Sequence, residues 1–207
     1  AAVSRLELVT RTRDNDAGTR VLAVGGDPPL VSAAGAAPGT VVTVADLFFN
    51  TPARRKFLKS PAREFALITE AVQRLALAAF AVTFRLRHEG REVLIYPAAD
   101  PQERLAQVLG RDLAAAMAQV RGGGGDITVT GWAVRPEHAR PSRQLDYLFV
   151  NGRPIQNRML SRAVLQGYAE LLPVGQFPVA VIYLEVAPHI LDVNIHPRKL
   201  EVRFTDE

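Results

Sequence analysis

Apolar side chains recur along this chain with two periods in alternation, and that alternation restricts the folds open to it. Phe65, Ile68, Val72, Leu75 and Ala79 return every three or four positions, the spacing of an amphipathic helix whose Glu70, Gln73 and Arg74 face away. Directly afterwards Val82, Phe84 and Leu86 alternate with Thr83, Arg85 and Arg87, the pattern of a half-buried strand. Strands in irregular order with few helices predict an α+β class in both halves. The longest unbroken apolar run, Leu75–Val82, has eight residues. A membrane-spanning helix needs about 20, so no membrane partner is expected.

With 48% hydrophobic and 22% charged residues, the 207-residue chain buries a core instead of remaining disordered. Cysteine is absent, which excludes disulfides, thiolate catalysis and thiolate-bound zinc or iron–sulfur centres. The opening Ala-Ala-Val-Ser-Arg-Leu-Glu-Leu holds neither an initiator Met nor a signal-peptide layout, so the chain reads as a piece of something longer.

Strands at Arg5–Thr12 and Thr19–Gly25 flank the turn Asp14–Gly18. A Gly/Pro/Ala loop, Gly26–Pro38, leads to a third strand, Val41–Phe48. Asn50-Thr51-Pro52 then opens a short basic helix to about Ser60, and a second helix covers Arg63–Ala79. A hairpin, Ala81–His88 with Arg91–Tyr96, turns at Glu89-Gly90. Asp100, Pro101 and Glu103 supply an N-cap, a Pro at the first helical position and an acid at the third, so a helix starts there and ends at Gly110. A domain boundary is expected at 97–99, separating residues 1–97 from 98–207. Beyond it come an Ala-rich helical stretch, a glycine loop Arg121–Gly125, and a strand Ile127–Val134. Strand Leu145–Asn151, helix Asn157–Leu172 and strand Val179–Val186 form a β-α-β unit, and an extended pair lies within Leu191–Phe204.

Net charge is +4, and 22 of the 25 basic residues are Arg, the lysines being Lys56, Lys59 and Lys199. Base composition explains an Arg bias by itself, but the placement is informative. Residues 53–63 carry Arg54, Arg55, Lys56, Lys59 and Arg63 with no acid, and residues 135–162 carry six arginines against Glu137 and Asp146. Arginine forks match phosphate geometry. On the expected helix from Asn157, Leu160, Ala163, Val164, Tyr168 and Leu171 share one face while Arg158 and Arg162 point nearly opposite. They make a cationic stripe at a helix start, where anions are favoured. A solvated face is the plain alternative. Lys199 follows His196-Pro197, which stiffens the chain and projects a point charge from a loop.

The other clusters are structural. Gly122–Gly125 lacks the following Lys-Ser/Thr of a phosphate loop, and Asp14–Gly18 lacks the closing Glu of a calcium loop. His88, His138, His189 and His196 show no metal-ligand spacing.

Three stretches read together. Gly39–Leu58, which contains Gly39-Thr40 and Asp46-Leu47-Phe48-Phe49-Asn50-Thr51-Pro52-Ala53-Arg54-Arg55-Lys56-Phe57-Leu58, closely resembles a signature of the MutL family of DNA mismatch-repair proteins. Tyr147-Leu148-Phe149-Val150-Asn151-Gly152-Arg153-Pro154 resembles its second signature, and Leu191–Phe204, with Asn194-Ile195-His196-Pro197-Arg198-Lys199, its third. The resemblance implies a partial ATPase sandwich of the GHKL class over residues 1–97, then a ribosomal-protein-S5-like transducer and DNA-binding domain over 98–207. It places the catalytic Glu, the Mg²⁺-holding Asn and the lid segment upstream of residue 1.

By the same resemblance Gly39 and Thr40 line the adenine end of an ATP pocket, and Lys199 reaches the γ-phosphate. Arg158 matches a DNA-groove arginine, with Arg162 and Arg153 as its neighbours. ATP and Mg are the implied cofactors of the full-length parent, with none held tightly by this chain alone, which is expected to be inactive. DNA, MutS, a downstream repair nuclease or helicase and a second copy are the implied partners. The implied location is the bacterial cytoplasm, at the nucleoid. Two other readings fit part of the residues: a non-enzymatic basic S5-like nucleic-acid-binding module, and a fragment of a type II topoisomerase ATPase subunit. The first leaves Gly39-Thr40 and Lys199 unexplained, and the Asn-Thr-Pro-Ala-Arg run favours MutL over the second.

Overall fold

The alternating residues of Arg5–Arg11 (β1) and Gly18–Val24 (β2) pair antiparallel across the Asp14–Gly18 turn, Leu8 opposite Val21. In the computed structural model, which describes residues 1–141, 146–168, 171–192 and 203–204, the chain forms two compact units, Ala1–Phe65 and Ala66–Glu207. In the first unit a four-stranded sheet runs β3-β2-β1-β4, with Leu30–Ala34 (β3) and Gly39–Ala45 (β4) as its edges. The strand β3 lies inside the stretch expected to be loop. The flanking prolines and alanines conceal it, and its pairing with β2, Val31 opposite Val21, is a tertiary choice.

The Asp46–Pro52 signature is a backbone clasp. Asp46 and Phe48 both take positive φ, 51° and 64°. The Phe48 N–H donates to Val3 O at 2.6 Å, and Asn50 Nδ2 donates to Ala2 O at 3.0 Å and Gly25 O at 3.3 Å. Arg5 lies 5.1 Å from the Phe49 ring and 3.1 Å from Asp46 Oδ2. The short helix Pro52–Arg55 (α1) follows. Only Ser4 and Gly18 are buried in this unit, while Val41, Val42 and Val44 of β4 are each more than half exposed. The sheet has apolar surface and almost no interior.

The helix Pro61–Ala78 (α2) begins in the first unit and ends in the second, where Leu77 is fully buried. The hairpin Phe84–His88 (β5) and Arg91–Tyr96 (β6) follows, with an irregularity between Leu86 and Arg87. Asp100 caps Pro101–Leu109 (α3) as the sequence indicates, its Oδ1 accepting from the Glu103 N–H at 2.9 Å. Arg104 of α3 is fully buried, and its Nη2 donates to Phe80 O, Val82 O and Pro97 O at 2.7–3.0 Å. Residues 80–97 are thereby tied to α3 within one unit. The contact division falls inside α2, ahead of the composition change at 97–99.

After Arg111–Ala115 (α4) comes a five-stranded sheet in the order β10-β9-β11-β8-β7. Its strands are Met117–Gly124 (β7), Ile127–Val134 (β8), Asp146–Val150 (β9), Arg153–Ile155 (β10) and Ala180–Val186 (β11). The expected glycine loop is the end of β7, Gly122 pairing Val129 and Gly123 pairing Thr128. A Cβ on Gly123 would lie 2.4 Å from Ile127 O, so close backbone approach is what requires the glycine. β9 and β11 pair in parallel around Arg158–Tyr168 (α5), confirming the β-α-β unit. The helix is shorter than Asn157–Leu172: residues 169–170 lie outside the described set, and Leu171 is 66% exposed instead of sharing the apolar face.

Both faces of this sheet are covered, which is why Tyr147–Val150 reads as an unbroken apolar run. Leu148, Val150, Ile182 and Leu184 face Leu160 and Val164 of α5. Tyr147, Phe149 and Val181 pack with Leu77 of α2 and Leu105 of α3. Tyr183 stacks on Phe149 at 4.8 Å and donates its hydroxyl to Leu77 O at 2.7 Å. Leu191–Asp192 (β12) pairs with Arg203–Phe204 (β13), as the expected extended pair requires. No described helix is long and apolar enough to cross a membrane.

Candidate nucleic-acid interface

The second signature is a turn with a specific backbone demand. Asn151 and Gly152 have φ of 47° and 76°, the positive pair of a type I′ hairpin between β9 and β10. The Asn151 side chain also pairs with Val186 at the end of β11. The turn therefore fixes β10, and β10 delivers the chain to Asn157 and α5.

Asn157 caps that helix. Its Oδ1 accepts from the Met159 and Leu160 N–H groups at 2.9 and 3.1 Å. These donors are satisfied within the chain, so an anion here would meet side chains, not the bare helix end. Arg158 and Arg162, one turn apart and exposed, supply those side chains. Both line a groove of about 1370 Å³ that Glu70 and Arg74 of α2, Asp146 and Leu148 of β9, and Phe177 and Pro178 also border.

Arg74 is the groove residue that sequence reading missed. It was expected on the solvated face of its helix, but its side chain is only 14% exposed. Its guanidinium lies 5.1 Å from the Tyr147 ring centroid, and Nη1 donates to Asp146 O at 3.4 Å. Nε and Nη2 donate to Glu70 Oε1 at 3.2 and 2.8 Å. The i,i+4 spacing of Glu70 and Arg74 was the available signal; their meeting with β9, 72 residues on, was not legible. Burial pushes the Tyr147 phenol above its usual range, an effect Arg74 offsets only in part. The ring stays neutral at physiological pH. Tyr168, whose hydroxyl donates to Val134 O at 2.5 Å, is likewise raised, by burial first and Asp146 second.

The remaining expected residues stand elsewhere. Arg153 is exposed on β10 and is not among the groove-lining residues. Gly39 and Thr40 open β4 opposite Arg11 and Thr10. The Thr40 and Thr10 hydroxyls are 2.8 Å apart, and Thr10 Oγ1 donates to Gly39 O at 3.3 Å. Lys199 lies outside the described residues. Among the described residues no three His, Asp or Glu side chains group as a metal site.

A family model described as DNA mismatch repair protein, C-terminal domain, matches residues 105–207. The DNA mismatch repair protein MutL of Aeromonas salmonicida is 43% identical over 209 residues, covering 99% of this chain and 33% of that relative. The solved Aquifex aeolicus MutL ATPase domain complexed with ADP matches with a TM-score of 0.69 and 31% identity, over 90% of this chain and 69% of that one. The chain belongs to the MutL family.

It spans about a third of the length of the curated MutL relatives it matches. The B-subunit of DNA gyrase from Myxococcus xanthus shares the fold at a TM-score of 0.56, covering 99% of this chain and 63% of that one, at 14% identity. The topoisomerase reading therefore has likeness of fold only, whereas the MutL reading has likeness of sequence as well. The α+β fold is that of the MutL ATPase region, a GHKL-type portion followed by the S5-like transducer.

Proposed function

We propose that this chain serves DNA mismatch repair as the part of a MutL protein that couples a nucleotide site to DNA binding. The groove bordered by Arg158 and Arg162 carries the reading: two exposed arginines on a capped helix, lining a concave surface of about 1370 Å³, with forks that match phosphate geometry. Arg158 and Arg162 contact phosphates, and Arg153 adds charge from β10 outside the groove lining. Phosphate contacts of this kind position DNA without reading its sequence.

Residues 98–207 act as the transducer and residues 1–97 as the later part of the ATPase domain. Gly39 and Thr40 line the adenine end of the nucleotide site. The fit is partial: the paired Thr10 and Thr40 hydroxyls at an exposed strand start can hydrogen-bond a base edge. The phosphate and Mg²⁺ ligands of the full-length protein stand upstream, apart from Lys199. ATP, when bound, supplies the triphosphate charge that distinguishes the two states of the protein. Lys199 meets the γ-phosphate and so binds ATP and ADP with different strength, as any nucleotide switch requires. The chain by itself neither binds ATP tightly nor hydrolyses it; turnover by the isolated chain that disappears with Lys199→Ala contradicts this.

In the full-length protein two copies close as a clamp on DNA and relay MutS recognition to a nuclease or helicase, in the bacterial cytoplasm at the nucleoid. The test is complementation. The full-length gene restores a low mutation frequency in a bacterium lacking its own copy, and Arg158→Glu does not. Full complementation by Arg158→Glu overturns the reading.

A further inference from the structure

The groove contains an acid that its proposed role does not call for. Glu70 borders it, on the last helical turn before Arg74, and its carboxylate holds that arginine through two guanidinium nitrogens. The pair is asymmetric. The Arg74 side chain is 14% exposed, pinned over Tyr147 and bonded to Asp146 O, while Glu70 is 43% exposed. The negative end of the ion pair is thus the end more open to solvent and to anything lying in the groove. Glu70 thus neutralises a guanidinium that is largely buried, and does so from a position open to the groove that Arg158 and Arg162 also line.

We propose that Glu70 is an acidic brake on the groove: it neutralises Arg74 and sets a like charge near a bound phosphate backbone, so that DNA binds more weakly than the groove's arginines permit. The inference rests on the reading that this groove binds DNA, and it adds a residue that limits affinity to those that supply it. Repulsion between Glu70 and a phosphate acts within a Debye length of about 8–10 Å, so it is felt inside the groove and screened outside it. Removing the carboxylate charge frees one cationic equivalent. Each phosphate neutralised steepens the dependence of log affinity on log salt by about 0.9, so the gain at 50 mM salt exceeds that at 200 mM by about threefold.

The test uses the full-length protein and a 30-base-pair duplex of arbitrary sequence, followed by fluorescence anisotropy at several salt concentrations. Glu70→Gln is expected to bind at least about threefold tighter at low salt, with a slope steeper by about one. Glu70→Gln/Arg74→Gln has the wild-type net charge and is expected to return to the wild-type slope. A helix-packing role does not produce that pattern: both variants lose the Glu70–Arg74 pair and the double variant also loses the Arg74 contacts with Tyr147 and Asp146 O, so packing alone predicts a larger disturbance in the double variant, not a return to the wild-type slope. Glu70→Gln binding no tighter than wild type, while Arg158→Glu loses binding, overturns the brake and leaves the groove reading standing. Arg158→Glu binding like wild type overturns the groove reading and the brake with it. A double variant that keeps the Glu70→Gln slope also contradicts the proposal, since the gain would then not come from Arg74.

Discussion

Asn151 and Val186 are joined by a reciprocal pair of hydrogen bonds: Asn151 Nδ2 donates to Val186 O, and the Val186 N–H donates to Asn151 Oδ1, each at 2.9 Å. One amide side chain completes the backbone pairing at the end of β11, where a short strand would otherwise stop.

Substituting Asn151 by Ala removes both bonds and leaves a left-handed residue with a Cβ that lacks the compensation Asn provides. Two hydrogen bonds at about 1 kcal/mol each, with about 1 kcal/mol of backbone strain, predict a loss of about 3 kcal/mol in urea unfolding. Asn151→Gly is expected to recover the backbone part only. A change below about 0.5 kcal/mol in both variants contradicts this account of the signature.

Arg104 is a buried cation whose two Nη atoms are held by carbonyls, while its Nε is buried without a hydrogen-bond partner. Besides the three bonds from Nη2, Nη1 donates to Tyr96 O at 3.4 Å, and the guanidinium faces the Phe84 and Tyr96 rings. Burial lowers its pKa from the ordinary arginine value. Arg104→Met fills the volume but strands buried oxygens, so a loss on the order of 4 kcal/mol is expected, with Arg104→Lys recovering less than half. Unfolding free energies within 1 kcal/mol of wild type for Arg104→Met contradict it.

Burial drives the Tyr183 phenol well above its usual pKa. A group whose folded pKa exceeds the unfolded value of about 10 gives stability that is complete below pH 10 and lost as pH rises beyond it. Stability therefore falls in the alkaline range. Tyr183→Phe is expected to cost about 1 kcal/mol at pH 7 through the lost bond to Leu77 O, and to remove up to about 1.4 kcal/mol per pH unit of the alkaline slope. An unchanged slope in unfolding measurements above pH 10 contradicts the assignment.

The first unit carries its apolar residues outward. Val42, 54% exposed, sits on β4, an edge strand of this sheet among the described residues. The 207-residue chain on its own is expected to self-associate at micromolar concentration and to bind a hydrophobic dye. Val42→Lys, a charge on the edge, is expected to shift sedimentation toward monomer. Monodisperse monomer for the wild-type chain contradicts this.

Local chemistry was legible, and distance was not. The Asp100, Pro101 and Glu103 cap was readable because a helix start is decided by neighbours, and Tyr147–Val150 because a strand buried on both faces must be apolar throughout. The strand β3 was hidden because its pairing with β2 overrides a composition of prolines and alanines, and the β7 glycines because close strand approach favours residues that otherwise signal loops. That Arg158 and Arg162 stand exposed on one side of α5 followed from helical phase. That Glu70 and Arg74 join them in the groove did not, since only folding brings α2 beside β9 and α5. The signature Asn151-Gly152 was recognisable as a string, but its physical content, two positive φ angles and a side chain completing β11, is visible only in the folded chain.

The α5 groove is proposed to bind a phosphate backbone. The direct measurement is DNA affinity at 50 and 200 mM salt, for the wild-type protein and for Arg158→Glu. Wild-type binding that falls steeply with salt, with Arg158→Glu weaker at both concentrations and about two units shallower in slope, is the predicted result. Equal affinity and equal slope for the two proteins would mean that DNA is held elsewhere and that the arginines of α5 face only solvent.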